Sequence, residues 1–561
     1  MTDQLKLQTP RVGSVIAPLR YSAFRYIWLA SVLSNLGILI RGVGAAWAMT
    51  EMTSAADEVA LVQTATMLPV MLIALPAGAI ADMYDRRLVM LFALLIALGG
   101  VAGLTALQSR GLNTPNLLLV FCFVAGSGAA LMNPAWLSSV SERVPADTVP
   151  AAVTLNGIGF NIARSCGPAI GGLVVGAAGA VAAFALNALL YLPLMMALFL
   201  WKRVEEPSRL PREQLSRAIV SGVRYITNSP SIKVVLIRAV VTGAVGSSIF
   251  ALLPLVARDL LSGGAQTYGI MLGAFGVGAV IGAINVGEVL KRMSSEAALR
   301  ACMLSMGGAT IAVALSRDPL LTGTALILAG GAWTAAATLL DIGAQLSAPR
   351  WVTGRSLAAY QASYSGGMAF GSWGWGRLTD ASGVETALLV SAGLMLFSPL
   401  LGLWLRMPRM SSRDEAVDVL ADPEVRLPLN DRSGPLVVEI EYRVLQANAY
   451  AFHNTMQQVQ LSRQRNGAYG WSIARNIADP ELWTERYHCP TWLDYLRHRN
   501  RRTQSDRNLD QQVEAFHIGP EPVRVRRMLE RPFGSMRRRK DMPGRDANEI
   551  PRFGSKRIDG P

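Results

Sequence analysis

Long apolar runs separated by short polar breaks make up most of the chain between Tyr26 and Leu405. Each run approaches the roughly 20 residues that a helix needs to cross the hydrocarbon core of a bilayer. Because backbone amides in lipid must be hydrogen-bonded within their own segment, the runs predict helices. The predicted spans are 26–49, 59–80, 88–108, 115–140, 150–177, 181–201, 232–256, 268–290, 298–315, 320–346, 355–379 and 384–405.

The spans form two groups of six, and polar segments separate and flank the groups. We therefore predict an all-α polytopic membrane protein with a small α+β domain after the last span. The predicted regions are an N-terminal tail (1–25), a first six-helix bundle (26–201), a central loop (202–231), a second six-helix bundle (232–405), a linker (406–434), an α+β domain (435–532) and a disordered basic tail (533–561).

Beyond Arg406 the pattern changes from long apolar runs to short alternating segments. Residues 436–442 (LVVEIEY) alternate apolar and polar positions, which is typical of a half-buried strand, and residues 448–465 have helical spacing. Together with the elements that follow, the order is β-α-β-β-α-β, which is the ferredoxin-like order. The elements that follow are strands at 470–477, 482–488 and 523–529 and a mostly helical stretch at 492–516.

Basic residues concentrate in one of the two sets of loops, among them Arg86, Arg87 and Lys202, whereas the other set holds Glu51 and Asp57. Cytoplasmic loops of membrane proteins carry an excess of Lys and Arg. The bias predicts a multi-pass protein of a bacterial inner membrane, with both termini and the central loop in the cytoplasm. Within that loop, residues 212–228 predict an amphipathic helix on the membrane surface, and a plain solvated connector is the alternative.

Composition narrows the class of partner. The chain is 51% hydrophobic and 16% charged, whereas soluble domains carry about 25% charged residues. The net charge of +14 would suit a nucleic-acid binder only if the basic residues formed one folded patch, and their place in loops argues against it. We therefore expect the lipid bilayer as a partner, and no nucleic acid. The cysteines and histidines lack metal-ligand spacing, so no metal and no cofactor is predicted.

The loop after the second predicted span carries a recognisable motif. It contains Gly78, Asp82, Asp85, Arg86 and Arg87 in the stretch GAIADMYDRR. The stretch resembles the loop signature G-x-x-x-D-x-x-G-R-R of the major facilitator superfamily, with an aspartate at the position where glycine is usual. The resemblance implies a twelve-helix fold of two six-helix halves, and it implies that this loop acts as a conformational switch.

The fifth predicted span contains a second motif, G-P-x-x-G-G, formed by Gly167, Pro168, Gly171 and Gly172. Proline removes a helical hydrogen bond and glycine allows close packing, so a simple packing kink is one interpretation. The run also resembles the motif of the drug/proton antiporters of the same superfamily, which favours export. Those antiporters usually carry an arginine on the fourth span where this chain has Cys122, so their proton-transfer assignment cannot be transferred.

Taken over residues 15–410, the chain resembles the branch of the superfamily that contains the enterobactin exporter. The resemblance implies efflux of drug-like or siderophore-like molecules by alternating access. The C-terminal domain resembles the ferredoxin-like appendage of members named transmembrane secretion effectors, which is similar to antibiotic-biosynthesis monooxygenase domains. Such domains are often dimeric, so the resemblance implies homodimerisation through this domain.

The two six-helix groups also resemble each other. When Pro145 is aligned with Pro349 at a fixed offset, Gly167 falls on Gly371 and Gly172 falls on Gly376. Parallel repeats of six spans are a feature of this transporter architecture, and its substrate site lies near the middle of the membrane.

Polar residues inside spans are costly in lipid and are therefore candidates for function. Asp341 is the one acid clearly within a predicted span, so we predict that it carries the proton. A permanent ion pair between Asp341 and an arginine is the alternative. The predicted substrate and proton pathway consists of Arg41, Asn161, Arg164, Asp341, Tyr360 and Gln361.

Three functions remain open from the sequence. The first is a proton-coupled exporter of small molecules, and the second is an uptake carrier on the same scaffold. In the third, the C-terminal domain works as an enzyme or a sensor and the helices anchor it. The absence of a G-x-x-x-x-G-K-[ST] loop argues against ATP coupling.

Overall fold

The structure is a computed structural model, which describes residues 16–112, 114–145, 147–201, 215–349, 352–408, 425–501 and 503–530. Most of the predicted N-terminal tail, half of the central loop, much of the linker and the whole predicted basic tail lie outside the described residues. The chain forms two compact units, a helical unit and a C-terminal unit. Each unit is described by itself.

The first half of the helical unit contains α1 to α5, and α5 carries the fifth and sixth predicted spans in one continuous element. At Gly179 the backbone leaves the helical region, with φ 78° and ψ 172°, which divides α5 into two segments. Glycine adopts this positive φ without steric cost. The bounds are α1 (Ser22–Met52), α2 (Ala56–Met83), α3 (Arg86–Ser109), α4 (Pro115–Ser138) and α5 (Val149–Leu200).

The second half follows the amphipathic helix α6, which lies within the predicted central loop. Its first helix, α7, continues into a short π-helical turn over Val256–Leu260. The bounds are α6 (Leu215–Thr227), α7 (Pro230–Leu255), α8 (Ala265–Arg292), α9 (Ser295–Leu315), α10 (Pro319–Leu346), α11 (Thr353–Ser382), α12 (Val384–Phe397) and α13 (Leu401–Trp404).

The number of spans follows from these helices. Ten described helices are long and apolar enough to cross a membrane, and α5 supplies two segments within one of them. Helix α11 is the remaining span, and its many glycine, serine and threonine residues lower its hydropathy. Such small residues allow it to pack closely against other helices on several sides. The prediction of a twelve-helix fold is confirmed.

Glycines at corresponding positions of the two halves make corresponding contacts. A Cβ atom on Gly167 would lie 2.8 Å from a side chain of α1, and one on Gly371 would collide with the backbone of α7. Further along, a Cβ on Gly172 would lie 2.7 Å from the backbone of α8, and one on Gly376 would lie 2.7 Å from the backbone of α2. The first pair therefore packs each half internally, and the second pair joins the two halves.

The C-terminal unit is an antiparallel four-stranded sheet with helices, in the strand order β2-β3-β1-β4. This order and the connections confirm the predicted α+β, ferredoxin-like domain. The bounds are β1 (Leu436–Arg443), α14 (Ala449–Arg465), β2 (Tyr469–Arg475), β3 (Leu482–Cys489), α15 (Trp492–Asn500), α16 (Gln504–Glu514) and β4 (Arg524–Leu529).

A buried charge network lies under the helices of this sheet. Glu485 is fully buried and accepts a hydrogen bond from Arg463 at 3.0 Å and one from the Tyr442 hydroxyl at 3.1 Å. Arg463 also pairs with Asp510 at 3.0 Å. Buried charges are tolerated in a protein interior when they are paired in this way. The network fixes α14 and α16 against the centre of the sheet.

The stretch that the sequence predicts as mostly helical, 492–516, consists of two helices, α15 and α16, with a break between them. Thr503 and Asp506 form a reciprocal capping box, in which each side chain bonds the backbone amide of the other residue. The Asp506 carboxylate also accepts hydrogen bonds from Ser462, Arg465 and Asn466. The break therefore allows one buried carboxylate to start α16 and to hold it on α14.

We predict that Asp506→Asn loosens this contact. Burial by itself raises the pKa of Asp506, but Arg465, Ser462 and the Thr503 amide together hold that pKa below its usual value. A lowered pKa in the folded state stabilises the fold above the unfolded pKa of about 3.9, and the effect is lost as the pH falls below it. At neutral pH the free energy of unfolding of this unit should be about 3 kcal/mol lower in the variant, because Arg465 loses its buried partner.

Hydrogen exchange of the peptide covering α16, corrected for intrinsic rates, measures this loss. The difference between the variant and the parent should shrink as the pH falls from about 4 toward the lowered pKa of folded Asp506, where the carboxylate becomes protonated and neutral like asparagine. Asp431→Asn, an exposed substitution in the same unit, is the matched control and should leave the exchange unchanged. Equal protection of α16 in Asp506→Asn and the parent at pH 7 would contradict the assignment.

Candidate functional site

We call the end of the helical unit at which α1 begins the near end, and the opposite end the far end. Asp341 lies on α10 in its near-end portion and is half-buried. Its Oδ2 accepts a hydrogen bond from Gln345 Nε2 at 2.8 Å. Among the residues that the structure describes, no basic side chain forms an ion pair with Asp341, so a permanent ion pair, the alternative considered above, is not found there.

Two tyrosines of α11 connect Asp341 to the middle of the helical unit. The Tyr360 hydroxyl donates to the carbonyl of Ala337 on α10 at 2.9 Å, and Tyr360 interacts electrostatically with Asp341. The ring centroids of Tyr360 and Tyr364 are 5.8 Å apart. Both tyrosines are buried, which makes them part of the packed interior and not of the lipid-facing surface.

Arg164 extends this series into the first half. It lies near the middle of the first segment of α5, it is half-buried, and it interacts electrostatically with Tyr364 of the second half. Asp341, Tyr360, Tyr364 and Arg164 therefore form a series of polar neighbours, which we call the polar track. Three of the predicted pathway residues thus belong to one arrangement, and Tyr364 joins them.

Asn161 and Gln361 lie on the same two helices as members of the polar track. Asn161 is half-buried one turn before Arg164, and its backbone carbonyl accepts a hydrogen bond from Ser165 at 3.1 Å. The Gln361 side chain donates to Ser365 Oγ at 3.5 Å. Their described hydrogen bonds stay within their own helices, so the structure places both residues beside the track without a described bond to it.

Arg41 has different neighbours from the other predicted pathway residues. It is 5% exposed on α1 and interacts electrostatically with Cys122 of α4 and with Tyr191 in the second segment of α5. Its Nε atom is buried without a hydrogen-bond partner. None of these neighbours belongs to the polar track, so the described contacts of Arg41 lie inside the first half.

An aromatic cluster next to the track was not predicted from the sequence. Trp333 of α10 lies 5.5 Å from the Tyr364 ring and 5.3 Å from Phe250 of α7, and Phe250 lies 4.9 Å from Phe275 of α8. These residues are far apart in the chain. Single aromatic residues on different spans carry no sequence signal for such a cluster, because only helix packing brings them together.

Asp85 explains why the loop motif departs from its usual glycine. It is the N-cap of α3, and its carboxylate accepts a hydrogen bond from the Arg87 amide at 2.8 Å. Aspartate is among the best N-cap residues because its oxygen satisfies an otherwise unpaired amide of the first turn. The Asp82 side chain lies outside the described part of the structure, and a Cβ on Gly78 would meet open space.

The two arginines of the loop hold the near end of the first half together. Arg86 pairs with Glu142 at 2.8 Å and donates to the Ser138 carbonyl at the end of α4, also at 2.8 Å. Arg87 donates to the carbonyl of Phe199 at the end of α5 at 2.5 Å. The loop therefore connects the near ends of α2, α4 and α5.

The G-P-x-x-G-G motif has two faces. Gly167 and Gly171 lie against α1, where added Cβ atoms would approach to 2.8 and 3.1 Å. Gly172 lies against α8, and a Cβ on Gly269 would in turn lie 2.6 Å from the Pro168 carbonyl. The motif thus packs α5 on both sides, and its second face brings the two halves into direct backbone contact.

At the far end a carboxylate joins the halves. Asp380 of α11 accepts hydrogen bonds from the amides of Ala56, at 2.6 Å, and Asp57, at 3.0 Å, which begin α2. Arg377 pairs with the Asp57 carboxylate at 3.2 Å. A carboxylate at a helix N-terminus satisfies unpaired amides and is favoured by the helix dipole. We call these four residues the far-end latch. The sequence shows Asp380 only as an acid at a helix end.

This architecture defines a transporter of the major facilitator type, with two six-helix halves around a polar middle. Solved structures show the same fold. A mutant of the nucleoside transporter NupG has a TM-score of 0.56 at 11% identity, with 68% of this chain and 100% of that chain covered. A bacterial homologue of the human lysosomal transporter Spinster, inward-facing and occupied, has a TM-score of 0.56 at 14% identity, with 69% and 97% covered.

The chain belongs to the transmembrane secretion effector family, whose family model matches residues 13–533. Its relatives include the multidrug efflux pump Tap of Mycolicibacterium fortuitum, at 25% identity over 70% of this chain and 97% of the pump. The staphyloferrin A transporter of Staphylococcus aureus is 24% identical over 48% of this chain and 67% of its own length. The enterobactin exporter EntS of Salmonella typhi is 26% identical over 46% and 62%.

The family and these relatives confirm the prediction of a multi-pass exporter of small molecules, of the branch that contains the enterobactin exporter. They also confirm that the helical unit belongs to a bacterial membrane protein of the major facilitator superfamily. The assignment of individual site residues stays a prediction.

We predict that Asp380→Ala weakens the far-end latch. The substitution removes the carboxylate that caps α2 from the other half, which costs about 1–2 kcal/mol. A conformational equilibrium between far-end-closed and far-end-open states should therefore shift about tenfold toward the open state. Spin labels at exposed positions Ser109 and Ser382, one in each half at the far end, should report longer distances in the variant.

Glu385→Gln is the matched control for this experiment. Glu385 also lies at the far end, but it pairs with Arg317 of its own half, at 2.6 Å on the exposed surface. Surface pairs contribute about 0–1 kcal/mol, and this one does not join the halves. The same spin-label distances in Asp380→Ala, Glu385→Gln and the parent would show that the latch does not hold the far end closed.

Proposed function

We propose that this protein exports small drug-like or siderophore-like molecules in exchange for protons. The observation that carries the proposal is Asp341, a half-buried carboxylate within a membrane span that has no ion-pair partner among the described residues. Acids inside membrane spans are costly and mark ion or proton pathways. The family and its multidrug and siderophore relatives supply the class of transported molecule.

Asp341 binds the proton in this proposal. Its neighbours Gln345 and Tyr360 are neutral, so the carboxylate changes charge without breaking a salt bridge. A carboxylate that is exposed alternately to the two sides of the membrane carries a proton inward as the substrate moves outward. The proton gradient then drives export through the difference in affinity between the two states.

Arg164 and the aromatic cluster bind the substrate in this proposal. Arg164 supplies a cation near the middle of the first segment of α5, which suits an acidic group, and its guanidinium geometry favours carboxylates. Trp333, Tyr364 and Phe250 supply flat apolar surfaces close to it. Such a site suits amphiphilic molecules with an aromatic part and an acidic part. Asn161, Gln361 and Arg41 are assigned to the same pathway as polar lining.

Alternating access follows from the two-half architecture. The far-end latch and the Gly172 contact with α8 hold one end closed, and export requires both to separate. The loop residues Gly78, Asp82, Asp85, Arg86 and Arg87 act as the switch at the near end, because the described contacts of Arg86 and Arg87 hold the ends of α4 and α5. The near end and both termini lie on the cytoplasmic side of the inner membrane.

We predict that Asp341→Asn abolishes proton-coupled transport. The amide keeps the size and the hydrogen bond to Gln345 but cannot bind and release a proton. In everted membrane vesicles with an imposed pH gradient, substrate accumulation should fall at least tenfold, while substrate binding without a gradient stays within about threefold. Sensitivity of a deletion strain to drugs and siderophores, complemented with each variant, is the cellular measurement.

The matched control is Asp318→Asn, on the same helix. Asp318 caps α10 at the far end, where its carboxylate accepts a hydrogen bond from the Leu321 amide at 2.9 Å, and asparagine caps equally well. The control should transport like the parent. Wild-type transport by Asp341→Asn would disprove the proton-carrier assignment. Accumulation by right-side-out vesicles in place of everted ones would indicate the alternative, an uptake carrier.

A second candidate function rests on the C-terminal unit, which has its own buried core and charge network. In this alternative the unit is an enzyme or a sensor that the helical unit anchors. Strands β2 and β4 are the edges of its sheet, and sheet edges pair readily, which supports homodimerisation through this unit.

Removal of residues 411–561 separates the two candidates. The truncation keeps Met407, whose amide donates to the Glu296 carboxylate of α9 at 3.0 Å, so the helical unit retains that contact. If export is the function, the truncated protein should transport within about threefold of the parent in the vesicle assay. Loss of transport in a truncated protein with an unchanged thermal unfolding midpoint would show that export needs the C-terminal unit. An absence of transport already in the parent would favour the second candidate.

A further inference from the structure

The C-terminal unit contains a cavity of about 210 Å³ that has no role in the export mechanism proposed above. All of its lining residues belong to this one unit. They come from β1, β3, β4 and the residue before β4 on the sheet side, and from α14, α15 and α16 on the helix side. Sites for drug-sized ligands usually measure about 300–1,000 Å³. The volume therefore suits a small molecule of one or two rings.

The sheet side of the cavity is apolar. Val438 and Ile440 of β1 are buried, and Val525 of the edge strand β4 faces the same way but is 39% exposed. The register pairs Ile440 directly with Val525, so the apolar surface continues from the core to the edge of the sheet. An aliphatic side chain left open beside a cavity gains free energy when an apolar group covers it.

A pair of polar groups lies at the open side. Arg527 Nε donates to the Tyr495 hydroxyl oxygen at 2.6 Å, and the guanidinium lies 6.0 Å from the centre of the Tyr495 ring. Because the hydroxyl oxygen accepts this bond, its own proton is available to donate to another group. The terminal nitrogens of Arg527 are further donors. Both residues therefore present donors to one point of the cavity wall.

The charges of the cavity favour an anion at this point. Arg463 at the base is already neutralised by Glu485 and Asp510, both at 3.0 Å. No described acid forms an ion pair with Arg527, and β4 carries three arginines in the sequence RVRRML. Glu514 also lines the cavity and is the one described lining acid to which no ion pair is assigned. The edge of the sheet is therefore basic overall.

We propose that this cavity binds a small organic anion, with its apolar body against Val438, Ile440 and Val525 and its acidic group on Arg527 and Tyr495. The site lies in the C-terminal unit and is a second ligand site, in addition to the one proposed on the polar track. A carboxylate bound to the arginine and the hydroxyl makes charge-assisted hydrogen bonds, which are about twice as strong as neutral ones.

The test uses the full chain in lipid nanodiscs and three probes in isothermal titration calorimetry, with empty nanodiscs subtracted. 1-Naphthoate has the body and the charge, 1-naphthylmethylamine has the same body with the opposite charge, and acetate has the charge without the body. We expect saturable binding of 1-naphthoate, and binding at least about tenfold weaker for the other two.

Two variants locate the binding on this cavity. Arg527→Gln removes the charge and should weaken the 1-naphthoate component about tenfold, and Val525→Trp fills the open side and should remove it. Arg524→Gln is the matched control, because position 524 is on the same strand but on the opposite face of the sheet, and it should bind as the parent does. The thermal unfolding midpoint confirms that each variant is folded.

Unchanged 1-naphthoate binding in both Arg527→Gln and Val525→Trp would overturn the proposal, as would equal binding of the cationic probe or of acetate. A signal that Asp341→Asn removes and Val525→Trp does not would belong to the polar track and would also overturn it. Loss of transport in Asp341→Asn with intact 1-naphthoate binding would support both proposals. Intact transport in Asp341→Asn with binding lost only in the cavity variants would support the cavity alone.

Discussion

The helical unit depends on bare backbone contact between helices of opposite halves. In lipid, apolar burial does not drive helices together, so close packing of small residues must do so. A Cβ atom added to Gly172 or to Gly269 of α8 would lie less than 3 Å from the backbone of the other glycine. A Cβ added to Gly376 would lie equally close to the backbone of α2. These contacts set the separation of the halves. They therefore determine that Arg164 of α5 comes within reach of Tyr364 of α11.

The contacts between the two halves at the far end and in the middle each contain a polar feature that fits a protein with two conformational states. At the far end, Asp380 satisfies amides of a helix that belongs to the other half, so separation of the halves leaves those amides to water. In the middle, Arg164 and Asp341 are connected through tyrosines instead of a direct ion pair. The tyrosines therefore lie between the two charged groups.

The two units place their ionisable side chains differently, because the helical unit folds in lipid and the C-terminal unit folds in water. The helical unit holds few ionisable groups within its spans, since charges are costly in lipid. Arg41 and Arg238 are buried inside the packed helices, and Arg238 pairs with Glu296. The C-terminal unit buries a complete network around Glu485, in which Arg463 and Tyr442 satisfy both carboxylate oxygens. Its edge strand β4 remains basic and open, and the cavity beside it is lined by the hydrogen-bonded pair of Arg527 and Tyr495.

The sequence by itself determined the spans, the division into two halves and the class of protein, because apolar length and the motifs around Asp85 and Gly167 are local properties. The fixed offset that relates Gly167 to Gly371 and Gly172 to Gly376 was also visible, and the contacts of these glycines agree with it. Only the tertiary structure decided which polar residues meet. The link from Asp341 to Arg164, the cap that Asp380 provides for α2, the separate surroundings of Arg41 and the cavity beside Arg527 each join residues far apart in the chain. No local pattern encodes such contacts, since they arise from helix rotation and strand register.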